Sequence, residues 1–181
     1  NSGEQNGNAL RITNCHMGGA TARSIVWNAA GLYVAGCNIE GSGNIGIAIG
    51  ENTTNSPLGI TIVGNYIEGW ANACIRLGDS GASVSANNAA GVNTAGFLIS
   101  GNYIQNPLAS AGIQFSQALA GFTIGNFISS DSTGPSIRSI STGADNVVGP
   151  ILDEGSTRST LSQSIILGDY QTSTAGARRT R

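Results

Sequence analysis

One phrase is written five times in this chain with small changes: Leu10-Arg-Ile-Thr-Asn-Cys-His-Met17, Leu32-Tyr-Val-Ala-Gly-Cys-Asn-Ile39, Ile60-Thr-Ile-Val-Gly-Asn-Tyr-Ile67, Phe97-Leu-Ile-Ser-Gly-Asn-Tyr-Ile104 and Phe122-Thr-Ile-Gly-Asn-Phe-Ile128. A weaker sixth copy opens at Val147. The first apolar residue of each copy falls at 10, 32, 60, 97, 122 and 147, in steps of 22, 28, 37, 25 and 25. Repeats of about 20 to 50 residues mark a solenoid or array, in which each unit buries its apolar face only against its neighbours.

Each copy alternates like a strand with one buried face, as in Ile60-x-Ile62. A Gly-Asn bend follows, then a second short strand, then a third that also recurs: Ile25-Val26-Trp27, Ile47-Ala48-Ile49, Ile75-Arg76-Leu77, Ile113-Gln114-Phe115 and Ile137-Arg138-Ser139-Ile140. Three short strands and three bends per repeat make one coil of a parallel β-helix. The expected fold is therefore all-β, a parallel β-helix of about six coils. It is expected to be right-handed, since parallel crossovers are so in about 98 per cent of cases. A leucine-rich repeat shares the period but needs a helix, and no window places apolar residues at i, i+3, i+4 and i+7. A sandwich or propeller would need hairpin signals between the strands.

The chain has no Lys, 8 Arg and a net charge of −2, with only 10% charged residues and 27 Gly. Nucleic-acid binding is driven by clustered cations, so this composition argues against it. The arginines of Ala177–Arg181 read as a solvated tail. No run of 18 apolar residues is present, so no membrane insertion is expected. The first coil begins by residue 10 with no visible cap over its strand edges. This suggests a segment of a longer chain, or an end covered by another subunit. Two regions are expected: coils over 1–149, and a distinct C-terminal element with an Arg-bearing tail over 150–181.

Stacking turns recurring positions into ladders about 4.8 Å per step. Asn65 and Asn102 share one bend, Asn126 follows one residue early, and Cys15 and Cys37 replace the Asn in the first two coils. The Asn ladder reads as structural, and the two cysteines as buried free thiols. Three Cys and one His give no zinc spacing, so neither metal nor cofactor is expected. His16 shares a column with Asn38, Tyr66, Tyr103 and Phe127, which should point outward, with the three aromatic rings stacked edge to edge. This aromatic strip suits a subunit interface, a platform for sugar rings, or simple ladder stability.

Two acid pairs align between adjacent coils: Glu40 with Glu68 beside the aromatic column, and Glu51 with Asp79 after the third strand. Carboxyl groups about 5 Å apart suit a retaining glycosidase and 6.5 to 9.5 Å an inverting one. Both pairs are candidates for catalysis or sugar binding, with Arg76 a partner for Asp79 or for substrate carboxylates. The solvated-surface reading stands beside each. Residues 78–96, nearly all small or polar, interrupt one coil. Such insertions usually fall on the binding face of a solenoid.

The phrase apolar-x-apolar-x-Gly-Asn-x-Ile, followed by Gly-Ile-x-Leu, resembles the right-handed β-helix proteins of the pectate-lyase-like superfamily over about 10–150. The Lys-free, Gly/Ser/Asn/Ala-rich composition is most similar to bacteriophage tailspikes and tail fibres. That resemblance implies a homotrimer on a virion tail, attached to other tail proteins. It further implies host attachment by binding, and in many members cleaving, bacterial surface polysaccharide. Whether this chain is an enzyme, a glycosidase or polysaccharide lyase, stays open because no catalytic motif of the superfamily is written here. The alternatives are a secreted polysaccharide lyase, hydrolase or epimerase, and a purely structural shaft or adhesin passenger.

Overall fold

Up to the last strand, every third segment of the chain returns to the same sheet. The computed structural model describes residues 9–51, 57–78, 95–105, 111–115, 121–129, 137–139, 146–148, 152–153 and 164–166. The first turn of the chain is β1 (Leu10–Thr13), β2 (His16–Ala20) and β3 (Arg23–Trp27). The second is β4 (Leu32–Ala35), β5 (Asn38–Gly41) and β6 (Ile45–Ile49), and the third β7 (Leu58–Val63), β8 (Tyr66–Glu68) and β9 (Ala73–Leu77). Next come β10 (Ala95–Ser100), β11 (Tyr103–Gln105) and β12 (Ala111–Phe115), then β13 (Gly121–Ile124), β14 (Phe127–Ser129) and β15 (Ile137–Ser139). After these stand β16 (Asn146–Val148), β17 (Leu152–Asp153) and β18 (Ser164–Ile166). The segment after 150, set apart in the sequence, thus contributes β17 and β18.

These strands form three sheets, with orders β1-β4-β7-β10-β13-β16-β18 (sheet A), β17-β14-β11-β8-β5-β2 (sheet B) and β15-β12-β9-β6-β3 (sheet C). Every strand pair is parallel, as in β4 with β7 and β5 with β8. This is the all-β, parallel arrangement of a β-solenoid, and no helix occurs among the described residues.

Inward columns build the core. Ile25, Ile47, Ile75, Ile113 and Ile137 share one register line in sheet C. Ile39, Ile67, Ile104 and Ile128 share another in sheet B. All are buried, and each contributes about 1.5–3 kcal/mol of apolar transfer free energy. Phe97 of sheet A stacks on Phe115 of sheet C, centroids 5.4 Å apart, and so ties two sheets together. Trp70, in the bend between β8 and β9, is fully buried and fills space left by Gly41 and Gly46. A Cβ on Gly46 would come within 2.6 Å of the Cys74 carbonyl and 2.9 Å of the Trp70 indole nitrogen.

The bend from sheet A to sheet B keeps a length of two residues through the first five turns, whereas the return from sheet C to sheet A varies, from residues 28–31 to 78–94. Its first residue lies in the left-handed region each time: Asn14, Gly36, Gly64, Gly101 and Gly125. Glycine reaches that region without a steric penalty, and asparagine is the side chain that best tolerates it.

The fifth phrase does not begin in step at Phe122, because Phe97 pairs with Gly121 and Leu98 with Phe122. Gly121 occupies the inward position, where any Cβ would collide with the Phe97 ring. Phe122 therefore points out and is 55% exposed. The same shift brings Asn126 into step with Asn102 rather than one residue early.

Candidate functional site

The Asn ladder joins the core to the outer face of sheet B. Asn102 Nδ2 donates to the Ile62 carbonyl at 3.0 Å and to Asn126 Oδ1 at 2.8 Å. Its Oδ1 accepts from both the backbone and side-chain nitrogens of Asn65, each at 3.0 Å. Asn65 repeats the pattern one coil up, donating to the Val34 carbonyl at 3.1 Å and accepting from Cys37 N at 2.9 Å. Asn126 ends it, donating to the Ile99 carbonyl at 3.0 Å and the buried Thr123 hydroxyl at 2.8 Å. Each amide thus satisfies backbone groups that would otherwise be buried without partners.

The residue after each ladder position points outward, so a fixed bend yields a regular outer column. His16, Asn38, Tyr66, Tyr103 and Phe127 share one register line. Two residues further on lies a second outward column, with Glu40, Glu68 and Gln105 in register. Tyr66 stacks on Tyr103 with centroids 5.6 Å apart and planes 10° from parallel, and Tyr103 on Phe127 at 4.8 Å and 16°. The rings stack face to face rather than edge to edge, so the middle of the ladder presents a ridge of ring edges. Tyr103 is 41% exposed.

The two carboxylates are each held within their own coil. Asn38 Nδ2 donates to Glu40 Oε1 at 2.7 Å. The Tyr66 hydroxyl donates to Glu68 Oε2 and lies 3.1 Å from Gln105 Oε1. A phenol has one proton, which goes to the carboxylate; with its amide turned over, Gln105 donates back to the phenol oxygen. The hydrogen bond to Glu68, with burial and the charges of Glu68 and Glu40 behind it, pushes the Tyr66 phenol up from 10.0 to about 12. Tyr66 is therefore a neutral donor at every physiological pH.

The second acid pair has a different setting. Glu51 is only 6% exposed and accepts hydrogen bonds from Arg23 Nε and Nη2. Its backbone is clamped by Asn28, whose Oδ1 accepts from Glu51 N at 2.9 Å while Nδ2 donates to Glu51 O at 2.9 Å. Arg76, 4% exposed, brings Nη2 to 2.8 Å from Glu51 Oε1. That approach has the proximity of an ion pair without hydrogen-bond angles, and Arg76 Nε and Nη2 have no hydrogen-bond partner. We treat it as a charge contact, since Coulomb attraction depends on distance far more than on angle. Arg76 thus meets Glu51; Asp79 lies outside the described residues.

Sheet C is buried on both faces through β6, β9 and β12. Its outward column runs Val26, Ala48, Arg76 and Gln114. Two arginines on one glutamate make this a structural ion cluster, with Glu51 and Arg76 buried and Arg23 partly exposed at its edge. Sheet A is different again. Its outward side carries Arg11 over the Tyr33 ring, 4.9 Å from the centroid, and then the exposed Leu98, Phe122 and Ile124. Sequence reasoning missed this apolar strip because it set Phe122 inward. The available signal was the one-residue shortening of Phe122-Thr-Ile-Gly-Asn before its bend.

The three cysteines are free thiols. Cys37 is buried in the ladder line, but Cys15, expected to be buried, is exposed; it stands in the first described turn, and among the described residues no earlier strand pairs with β2. Among the described residues no three of His, Cys, Asp and Glu gather as a metal site requires. The 79–94 part of the long insertion lies outside the described residues. The chain matches no protein-family model, no curated protein and no solved structure.

Proposed function

We propose that this chain is part of an oligomeric, right-handed β-helical fibre of about six coils, a tailspike or tail-fibre segment, and that it binds bacterial surface polysaccharide. The observation that carries the reading is the outer face of sheet B, where a continuous stack of three aromatic rings runs beside Glu40, Glu68 and Gln105. The ridge of ring edges gives sugar rings an apolar contact surface, and carboxylates and amides accept or exchange hydrogen bonds with their hydroxyls. The line follows the stack axis with one step per coil, a repetitive surface that suits a repetitive polymer.

Binding is favoured over cleavage. A glycosidase needs two carboxyl groups in unlike environments, one kept as an acid and one ionised. Glu40 and Glu68 are instead alike: both half-buried, and both accepting one neutral donor from their own coil. Glu51 is enclosed by Arg23 and Arg76, which removes it from any substrate.

We assign contact with further copies of the chain to sheet A, where Leu98, Phe122 and Ile124 are exposed. Copies arranged in a closed ring count each such contact once per subunit, which favours a homotrimer with its sheet A faces inward. Light scattering on residues 1–181 tests the assembly. Three times the single-chain mass, falling to one in Phe122→Glu, is expected; a monomeric wild-type chain sinks the trimer. The glycan reading is tested by binding to bacterial polysaccharides with Tyr103→Ala as the variant, expected to weaken binding at least about tenfold. Unchanged binding by that variant removes the aromatic ladder from the site.

A further inference from the structure

The outer face of sheet B is rich in acceptors and holds no arginine among its described residues; the chain has no lysine to add. Glu40 and Glu68 are register neighbours, about one strand spacing apart. Like charges so placed repel one another unless something lies between them. The described arginine side chains are committed elsewhere: Arg11 lies over Tyr33 on sheet A, and Arg23 and Arg76 meet Glu51 on sheet C.

The step from Asn38 to Tyr66 concentrates this character. Asn38 gives its Nδ2 to Glu40, while its buried Oδ1 has no hydrogen-bond partner. Turning that amide over would set its oxygen against the carboxylate, so Glu40 fixes its orientation. Tyr66 has a ring neighbour, Tyr103, on one side, and its column neighbour on the other side is Asn38, which is not aromatic. The end of the aromatic ladder therefore sets a phenol ring beside two register-neighbour carboxylates, over a buried amide oxygen that lacks a donor. Each of them is electron-rich.

We infer that this face takes a glycan bearing free amino groups, with one protonated amine seated at the step between Asn38 and Tyr66. An ammonium group offers three donors and no acceptor, the complement of this set. Its charge is attracted to the face of a tyrosine ring and relieves the repulsion between Glu40 and Glu68. A neutral sugar reaches the same acceptors through hydroxyls but gains nothing from the charge, and a polyuronate is repelled. The inference rests on the glycan-binding reading above and specifies its substrate class.

An array of purified bacterial surface polysaccharides tests it, printed in duplicate with one copy N-acetylated by acetic anhydride so that linkage is kept and amine charge removed. The wild-type chain is expected to bind amine-bearing members, with binding falling at least about tenfold on the acetylated copies. Glu40→Gln with Glu68→Gln, checked for an unchanged circular dichroism spectrum and melting curve, is expected to abolish that difference. Tyr103→Ala should weaken both copies alike. Binding that survives acetylation, or bound members that are all acidic, overturns this inference and leaves the glycan reading standing. No bound member on either copy overturns both.

Discussion

Sheets B and C carry the same kind of outward column, yet their carboxylates have opposite fates. On sheet C, Glu51 is buried between Arg23 and Arg76, and its charge is spent inside the molecule. On sheet B, Glu40 and Glu68 are half-exposed, held only by the neutral donors Asn38 and Tyr66, and their charge faces outward. A neutral hydrogen-bond donor orients a carboxylate without cancelling it, whereas a guanidinium does both. The availability of an acid to a ligand is thus decided by what holds it.

The sharpest way to break this contrast is to remove the charge on each side in turn. Glu51→Gln leaves two guanidiniums without their counter-ion, one of them buried, and should destabilise the fold by about 3–5 kcal/mol. Glu68→Gln, at a half-exposed site, should change stability by less than about 1 kcal/mol. Urea midpoints of the two variants measure the difference; equal shifts would refute the division into a structural and a presented acid.

A smaller effect is expected at the bend that places the sheet B column. Asn102→Ala deprives Asn65 N of its acceptor and the Ile62 carbonyl of a donor, a cost of about 1–3 kcal/mol. Tyr103 is the next residue, so polysaccharide binding should weaken in the same variant. An unchanged melting curve would show that the amide ladder is dispensable.

The smallest effect lies in alkaline solution. The folded pKa of Tyr66 is raised above its unfolded value, so its contribution to stability is complete below about pH 10 and is lost as pH rises towards 12. Burial raises the Cys74 thiol to about 12 as well, which adds a loss of the same sign from about pH 9 upward. Tyr66→Phe should therefore flatten part, not all, of the stability decline between pH 10 and 12, followed by denaturant titration at each pH. A decline identical to wild type would mean that the Tyr66–Glu68 hydrogen bond contributes nothing to the fold.

Much of the architecture was legible before any coordinates. The period of the phrase located the strands of sheets A and B, and the Ile-x-apolar segments located sheet C. The column from His16 to Phe127 and the pairing of Glu40 with Glu68 also followed from the repeat. The fifth coil did not, because a glycine at 121 supplies no apolar signal although it holds the inward place above Phe97. Arg76 reads in the sequence as a partner for Asp79 or for substrate carboxylates; the structure brings it to Glu51, one coil earlier, and Asp79 lies outside the described residues. Ring orientation was misjudged too, since alternation tells which way a side chain points and nothing about its rotation.

By itself, the sequence determined that this chain stacks in parallel coils with inward isoleucines and an asparagine ladder. Those features are written locally, in a two-residue alternation and a two-residue bend, and stacking repeats them without further information. Only the tertiary structure decided which outer faces are closed, which carboxylate meets a cation and which apolar residues stay exposed. Those outcomes depend on contacts between residues one coil apart. The coil lengths differ, from 22 residues between Leu10 and Leu32 to 37 between Ile60 and Phe97, so no fixed spacing along the chain encodes them.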